Sequence, residues 1–157
     1  MLINKCPIKF NYSSRYNTLP RFIIIHDTGN TSKGANALAH FKYFNSANRN
    51  ASAHFFVDDS EIIETVEVNL ASWHCGDGRG RYGITNRNSI GIEMCVNSDS
   101  DFEKTKENTL KLIRFLMEFY KIPWENVARH YDASRKICPR SMSSNNWSSW
   151  WSFKELI

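Results

Sequence analysis

The sequence predicts an α/β fold: a mixed central β-sheet flanked by helices on both faces, in a single domain. Three observations lead there. The apolar run Phe22 to Ile25, in "RFIIIH", is too short for a helix and apolar on both faces, which places it at the centre of a sheet. The segment "SIGIEMCV", Ser89 to Val96, alternates over eight residues as a strand does. Segments with helical spacing separate such strands, giving the order strand, helix, two strands, strand, helix, strand, helix.

Each element has its own warrant. After "RFIIIH", Thr31 and Ser32 are cap candidates for a helix through "GANALAHFKYFNSA", with Ala35, Leu38 and Phe41 as its apolar face. "AHFFVDD" and "EIIETV" read as two short strands around a turn at Asp58, Asp59 and Ser60. In "DFEKTKENTLKLIRFLMEFYKI", Leu110, Ile113, Leu116, Met117 and Tyr120 form a stripe at helical spacing, and Pro123 ends the helix. "NVARHYD" reads as a short strand running into a loop. "NNWSSWWSFKELI" reads as a helix capped by Asn145 or Asn146. The helical spacing of Trp147, Trp150 and Trp151 favours core packing over a sugar platform.

Composition bounds the function. The chain has 157 residues, of which 41% are hydrophobic, and a mean hydropathy of −0.48. That is a globular composition, long enough for a core. No run approaches ~18 apolar residues, so no membrane span is expected. The start, "MLINKCPIKFNYSS", has no apolar signal region. The expectation is therefore synthesis in a cytoplasm, or a domain excised from a larger protein. The net charge of +4 is spread among interleaved acidic residues, so no nucleic-acid partner is expected. Cys6, Cys75, Cys95 and Cys138 include no C-x-x-C pair, and free thiols are expected.

The chemistry gathers where strands end. His26 closes the first apolar run, and Asp-Thr-Gly leads straight out into a loop. A lone histidine there is more often structural than a ligand. His130 closes another short strand, however, and Cys138 follows eight residues later. Two imidazoles and a thiolate suit zinc and leave a fourth position open, the pattern of a catalytic site. By spacing alone, two surface histidines and a core cysteine is an equal alternative. Glu93 is the second oddity. It lies in mid-strand, on the face shared by Ser89, Gly91 and Cys95. It is either a solvated edge residue or a general base beside a metal site.

At this point the sequence resembles a known family. "IIIHDTGN", "SAHFFVDD", "ASWHCGDG", "SIGIEMC" and "RHYDASRKICPR" appear in the order of the type 2 N-acetylmuramoyl-L-alanine amidases, zinc-dependent cell-wall hydrolases of phages and bacteria. Animal peptidoglycan recognition proteins share that fold. The likeness runs from "FIIIHDTGN" to "WWSFKEL", nearly the whole chain. It implies one Zn2+ per chain held by His26, His130 and Cys138, with Lys136 beside the substrate carbonyl. Some members carry a tyrosine where this chain has Ala53, and those without it carry a glutamate at the place of Glu93. Glu93 is then the acid/base. His74, in "WHCGDG", matches a cleft histidine that would stabilise the oxyanion, and His40 and His54 are left structural.

The reaction so implied is hydrolysis of the amide between the lactyl group of N-acetylmuramic acid and L-alanine. Residues 1–157 would be the amidase catalytic domain of an endolysin or autolysin, with a wall-binding domain to follow in a longer protein. The partner is bacterial peptidoglycan, met after release from the cell, and the chain is expected to act as a monomer. Members lacking the cysteine ligand bind peptidoglycan without cutting it; Cys138 weighs against that reading. A structural-zinc domain would need a fourth ligand, for which His54 and His74 are the candidates. Arg79 and Arg81, in "GDGRGRYG", are offered as contacts to peptide carboxylates, with a solvated loop as the alternative.

Overall fold

In the computed structural model, which describes residues 2–157, the run at Phe22 becomes a strand of six residues. The strands are β1 (Asn4–Lys5), β2 (Tyr12–Ser14), β3 (Phe22–Asp27), β4 (Phe55–Val57), β5 (Ile62–Glu64), β6 (Leu70–Ser72), β7 (Ser89–Met94) and β8 (Val127–Arg129). The helices are α1 (Ala37–Ser46), α2 (Phe102–Tyr120), α3 (His130–Ser134) and α4 (Ser144–Glu155). Six strands form one sheet in the order β1-β5-β4-β7-β3-β8, and β2 pairs with β6 alongside it. The sheet is mixed. β4, β7, β3 and β8 run parallel to one another, whereas β4 and β5 form the expected antiparallel hairpin.

Side chains on a strand alternate between faces, so each strand feeds two layers. Ile23, Ile25, Phe55, Val57, Ile90, Ile92 and Met94 point to one face, where Leu112, Ile113 and Leu116 of α2 and Trp150 and Phe153 of α4 cover them. Burying each such side chain contributes ~1.5–3 kcal/mol. On the other face Phe56 and Ile63 pack against Ala37 of α1, and Ile24 packs against Ala133 of α3 and Cys75. That second face carries His26, Gly91 and Glu93, because Ile24 pairs with Gly91 and His26 with Glu93. As expected from its apolar faces, β3 is interior, flanked by β7 and β8.

Four local expectations are corrected. First, α1 starts at Ala37, not near Thr31 or Ser32. Gly34 sits at φ 77° and interrupts the helix, while Asn36 caps it by accepting from the Ala39 N–H at 2.9 Å. Its buried residues are Ala37 and His40, and Leu38 is exposed. Second, "NVARHYD" is a strand followed by a helical turn rather than a loop. The Asp132 carboxylate accepts the Arg129 N–H at 2.9 Å and starts α3. Third, neither Asn145 nor Asn146 caps α4. Both have left-handed φ, as does Trp147, so the first turn is irregular. Fourth, β1, β2 and β6, of two or three residues each, carry no alternation long enough to read.

The tryptophans divide as packing dictates. Trp150 is buried in the core, and Trp151 is half exposed. The Arg129 guanidinium lies 4.4 Å from the Trp147 ring while pairing with Asp132 at 2.7 Å. This cluster fixes the end of β8, and His130 is the next residue.

Candidate metal centre

The site lies at the carboxyl ends of the parallel strands, where α/β sheets place their ligands. His26 is next to last in β3, Glu93 is next to last in β7, and His130 follows β8 directly. Cys138 comes from the loop after α3. Two backbone ties hold that loop: Tyr131 N–H to the Cys138 carbonyl at 3.1 Å, and Ser141 N–H to the Asp27 carboxylate at 2.6 Å. His26, His130 and Cys138 each offer one ligand atom, and the three atoms lie within 4.8 Å of one another. All three residues are buried. They form a group able to hold a metal ion.

The residues present fit a metal by their hydrogen bonding as well. His130 Nε2 lies 2.8 Å from Asp77 Oδ1. A carboxylate only accepts, so Nε2 carries the proton and Nδ1 is a bare lone pair. That Nδ1 is buried without a partner. An orphaned buried acceptor is costly unless something outside the protein meets it. A histidine braced from behind by a carboxylate is also the usual arrangement of a metal ligand. The close packing of Gly78, where an added Cβ would lie 2.1 Å from the Ala133 carbonyl oxygen, keeps the Asp77 loop against α3.

Electrostatics keep the donor set neutral. Burial holds the His26 imidazole well below its ordinary pKa, with His130, His74 and Lys136 adding to the effect. Burial lowers His130 too, against the pull of Asp77. The Cys138 thiol is pushed up by burial and by Glu93. A thiolate there therefore calls for a cation beside it.

Glu93 Oε1 lies 3.9 Å from His26 Nδ1. Its Oε2 is buried and unpartnered. Burial raises its carboxyl to about 8, with Asp27 adding and Lys136 opposing. Since β7 is flanked by β4 and β3, the solvated-edge alternative for Glu93 falls away.

A cleft of about 450 Å³ opens over these groups. Its lining includes His26, Glu93, His130, Lys136, Cys138 and Arg140. Lys136 stands exposed at its rim and also lines an adjoining pocket with Asn50, Trp73 and Asp77.

Arg79 and Arg81 are exposed and line neither cavity; the guanidinium that does is Arg140. His74 reaches the cleft, but neither of its nitrogens is free for an oxyanion: Nδ1 lies 3.0 Å from His26 Nε2 and Nε2 lies 3.0 Å from Ser89 Oγ. Nor is it a fourth ligand. His54 is likewise engaged by Ser72, by the Gly91 N–H and by Arg15. His40 bonds the Asn36 carbonyl, so both histidines read as structural do structural work. All four cysteines are free, as expected.

The same segments carry the likeness to known proteins. Residues 15–141 match the N-acetylmuramoyl-L-alanine amidase family. The chain belongs to that family. Among relatives of this amidase family, it is 42% identical to N-acetylmuramoyl-L-alanine amidase CwlH of Bacillus subtilis (strain 168), over 91% of this chain and 56% of that protein. It is 41% identical to N-acetylmuramoyl-L-alanine amidase XlyA of the same organism, over 96% of this chain and 48% of that protein. The chain thus spans about half the length of these curated relatives. Among solved structures, the catalytic domain of XlyA superposes with a TM-score of 0.89 at 40% identity, covering 100% of this chain and 99% of that one. PlyL superposes at 0.81 with 31% identity, covering 99% and 96%. Every residue of the candidate site falls within the span that matches the amidase family.

Sequence reasoning missed Asp77, Ser89 and Gly91 as members of the site. Asp77 follows His74 by three residues in a turn-rich loop, and only the fold brings it to His130. Gly91 carried a signal, a glycine on the Glu93 face of a strand, where close approach of another side chain is the usual cause.

Proposed function

We propose that this amidase-family chain is a peptidoglycan hydrolase that cleaves the amide between N-acetylmuramic acid and the L-alanine of the stem peptide. His26, His130 and Cys138 would hold one zinc ion per chain. The observation that carries the reading is the pairing of that buried donor set with Glu93, one strand away, whose Oε2 is buried without a hydrogen bond. When bound, zinc supplies Lewis acidity, which acidifies water from pKa ~15.7 towards ~7 and polarises a carbonyl.

The chain's own groups do the rest. Glu93 takes the proton as water oxygen attacks the carbonyl carbon. It returns that proton to the leaving nitrogen as the C–N bond breaks, freeing the lactyl carboxyl and the alanine amine. A carboxyl whose pKa is raised towards neutrality suits both halves of this exchange. Lys136, exposed at the rim with its charge felt by Glu93 and Cys138, stabilises the developing oxyanion. Loss of such a donor typically costs ~2.7–4 kcal/mol of barrier. His74 is not assigned this task, since both its nitrogens are engaged.

Support for a wall substrate comes from the family and from the open cleft over the donor set. None of the described helices is long and apolar enough to cross a membrane. We place residues 1–157 as a monomeric catalytic domain that meets the wall after release from the cell. Digestion of purified walls, followed by labelling of new amino groups, tests the reaction. New N-terminal alanine, lost on chelation and restored by zinc, is the expected result. New reducing sugar ends without free alanine would overturn it.

A further inference from the structure

His26 and His130 are braced differently, and the difference is informative. Behind His130 stands a carboxylate, Asp77. Behind His26 stand only neutral groups. His26 Nε2 lies 3.0 Å from His74 Nδ1, His74 Nε2 lies 3.0 Å from Ser89 Oγ, and Ser89 Oγ lies 2.5 Å from the Thr85 carbonyl oxygen. Each histidine contact taken alone could run in either direction. Taken together they cannot, because the last member is a carbonyl and a carbonyl only accepts.

The polarity propagates back from that end. Ser89 spends its single O–H on Thr85, so its oxygen accepts from His74 Nε2–H. His74 is neutral with its proton on Nε2, so its Nδ1 accepts from His26 Nε2–H. His26 is then left with a bare Nδ1, the nitrogen that lies 3.7 Å from Cys138 Sγ. We propose that His74 and Ser89 are positioning residues: through this one-way chain ending on Thr85 they fix which nitrogen of His26 carries its proton, and so present Nδ1 to the metal. The proposal rests on the metal reading given above.

The surroundings are built to hold the chain in place. His74 and Ser89 are buried, and Arg15 clamps the start of β7 by donating from Nη2 to the Ser89 carbonyl at 2.8 Å. Asn86 Oδ1 accepts from the N–H groups of both His74 and Cys75. Gly91 provides the space: a Cβ there would lie 2.5 Å from His74 Cγ. Cys75 Sγ makes longer, weaker sulfur contacts to Ser89 Oγ at 3.7 Å and His74 Nε2 at 3.8 Å, beside the chain's own shorter bonds.

Histidine tautomers are read directly from two-bond ¹H–¹⁵N couplings in labelled, metal-free protein. Wild type should show His26 and His74 each protonated at Nε2. Ser89→Ala removes the acceptor, so His26 should become a tautomer mixture, and zinc affinity by chelator competition should fall ~10–100-fold, as when a ligand's hydrogen-bond partner is lost. Cys75→Ala empties the same neighbourhood without cutting the chain, and its affinity change should stay below about threefold, well short of that range. The proposal is overturned by His26 protonated at Nδ1 in wild type, by a Ser89→Ala protein with unchanged tautomer and affinity, or by equal losses in the two variants. Should Ser89→Ala not fold, the wild-type spectrum still decides. If wild type takes up no zinc, the metal reading fails while the tautomer result still judges the chain.

Discussion

His26 and Glu93 occupy the same rung of two parallel strands, and the carboxylate Oε1 lies 3.9 Å from the imidazole Nδ1. Neither strand can slip by one residue without sending its own member of the pair to the opposite face, into the apolar core. The spacing between the candidate ligand and the candidate base is therefore set by the sheet itself, by Ile23, Ile25, Ile90 and Ile92 packing on the far side. A site built on strands is held more firmly than one built on loops. Of the groups around the metal centre, Cys138 and Asp77 come from loops, and both loops are tied back to α3.

The first prediction concerns Asp77. Asp77→Ala removes the one acceptor that His130 Nε2–H has among the described residues, leaving the ring free to turn or to change tautomer. Zinc affinity should fall ~10–100-fold with little change in melting temperature. Wild-type affinity in this variant, by competition with a chelator, would refute the bracing role.

Gly91→Ala should do damage out of proportion to one methyl group. The new Cβ meets the His74 ring, which is buried and cannot retreat. Overpacking of this kind costs ~1–3 kcal/mol. Thermal unfolding of the metal-free variant should show the loss, and zinc content should drop with it. A variant as stable as wild type and fully zinc-loaded contradicts the tight fit.

The third concerns pH. Burial raises the Glu93 carboxyl from 4.5 to about 8. Between those values the folded chain keeps a proton that the unfolded chain releases. This contribution to stability is therefore full below about 4.5 and is lost as pH rises towards 8. Glu93→Gln is uncharged throughout. In metal-free protein its stability relative to wild type should climb across that window. A difference independent of pH, by denaturant unfolding, would show that the carboxyl is not perturbed.

The cysteines give a fourth. Cys6, Cys75, Cys95 and Cys138 are free, and the Cys75 thiol is pushed up to about 12 by burial. Intact-mass measurement of unreduced protein should find no disulfide. In the metal-free state Cys138 should resist alkylation at neutral pH, because its thiol is also raised. Rapid modification of metal-free Cys138 contradicts its buried setting.

The sequence exposed the parts of the site that stand at strand ends, and the reason is physical. His26 breaks an apolar run and Glu93 breaks an alternation, so each announces itself against a periodic background. His130 and Cys138 were readable as a pair only through donor chemistry, and the family resemblance was needed to choose that reading. The bracing residues broke no pattern. Asp77 looks like any acidic turn residue, and Ser89 like any strand start. Their roles exist only once His130 and His74 are brought to them in space. Arg79 and Arg81 show the complementary limit: proximity to His74 in sequence does not say which loop residues line the cleft, and neither arginine does. The start of α1 went astray because Thr31 and Ser32 look like caps, whereas Gly34 at positive φ delays the helix to Asn36.

Turnover of Glu93→Gln on purified peptidoglycan, beside metal analysis of the same preparation, tests the central claim most directly. The substitution keeps the shape of the side chain and removes the base. With Glu93 as proton carrier, the rate should fall by the ~10²–10⁴-fold that general acid–base catalysis supplies. Zinc content should stay at one per chain and wall binding should persist, since neither needs that proton. A rate within about twofold of wild type, the range of an ordinary surface change, would contradict the account and remove Glu93 from the chemistry.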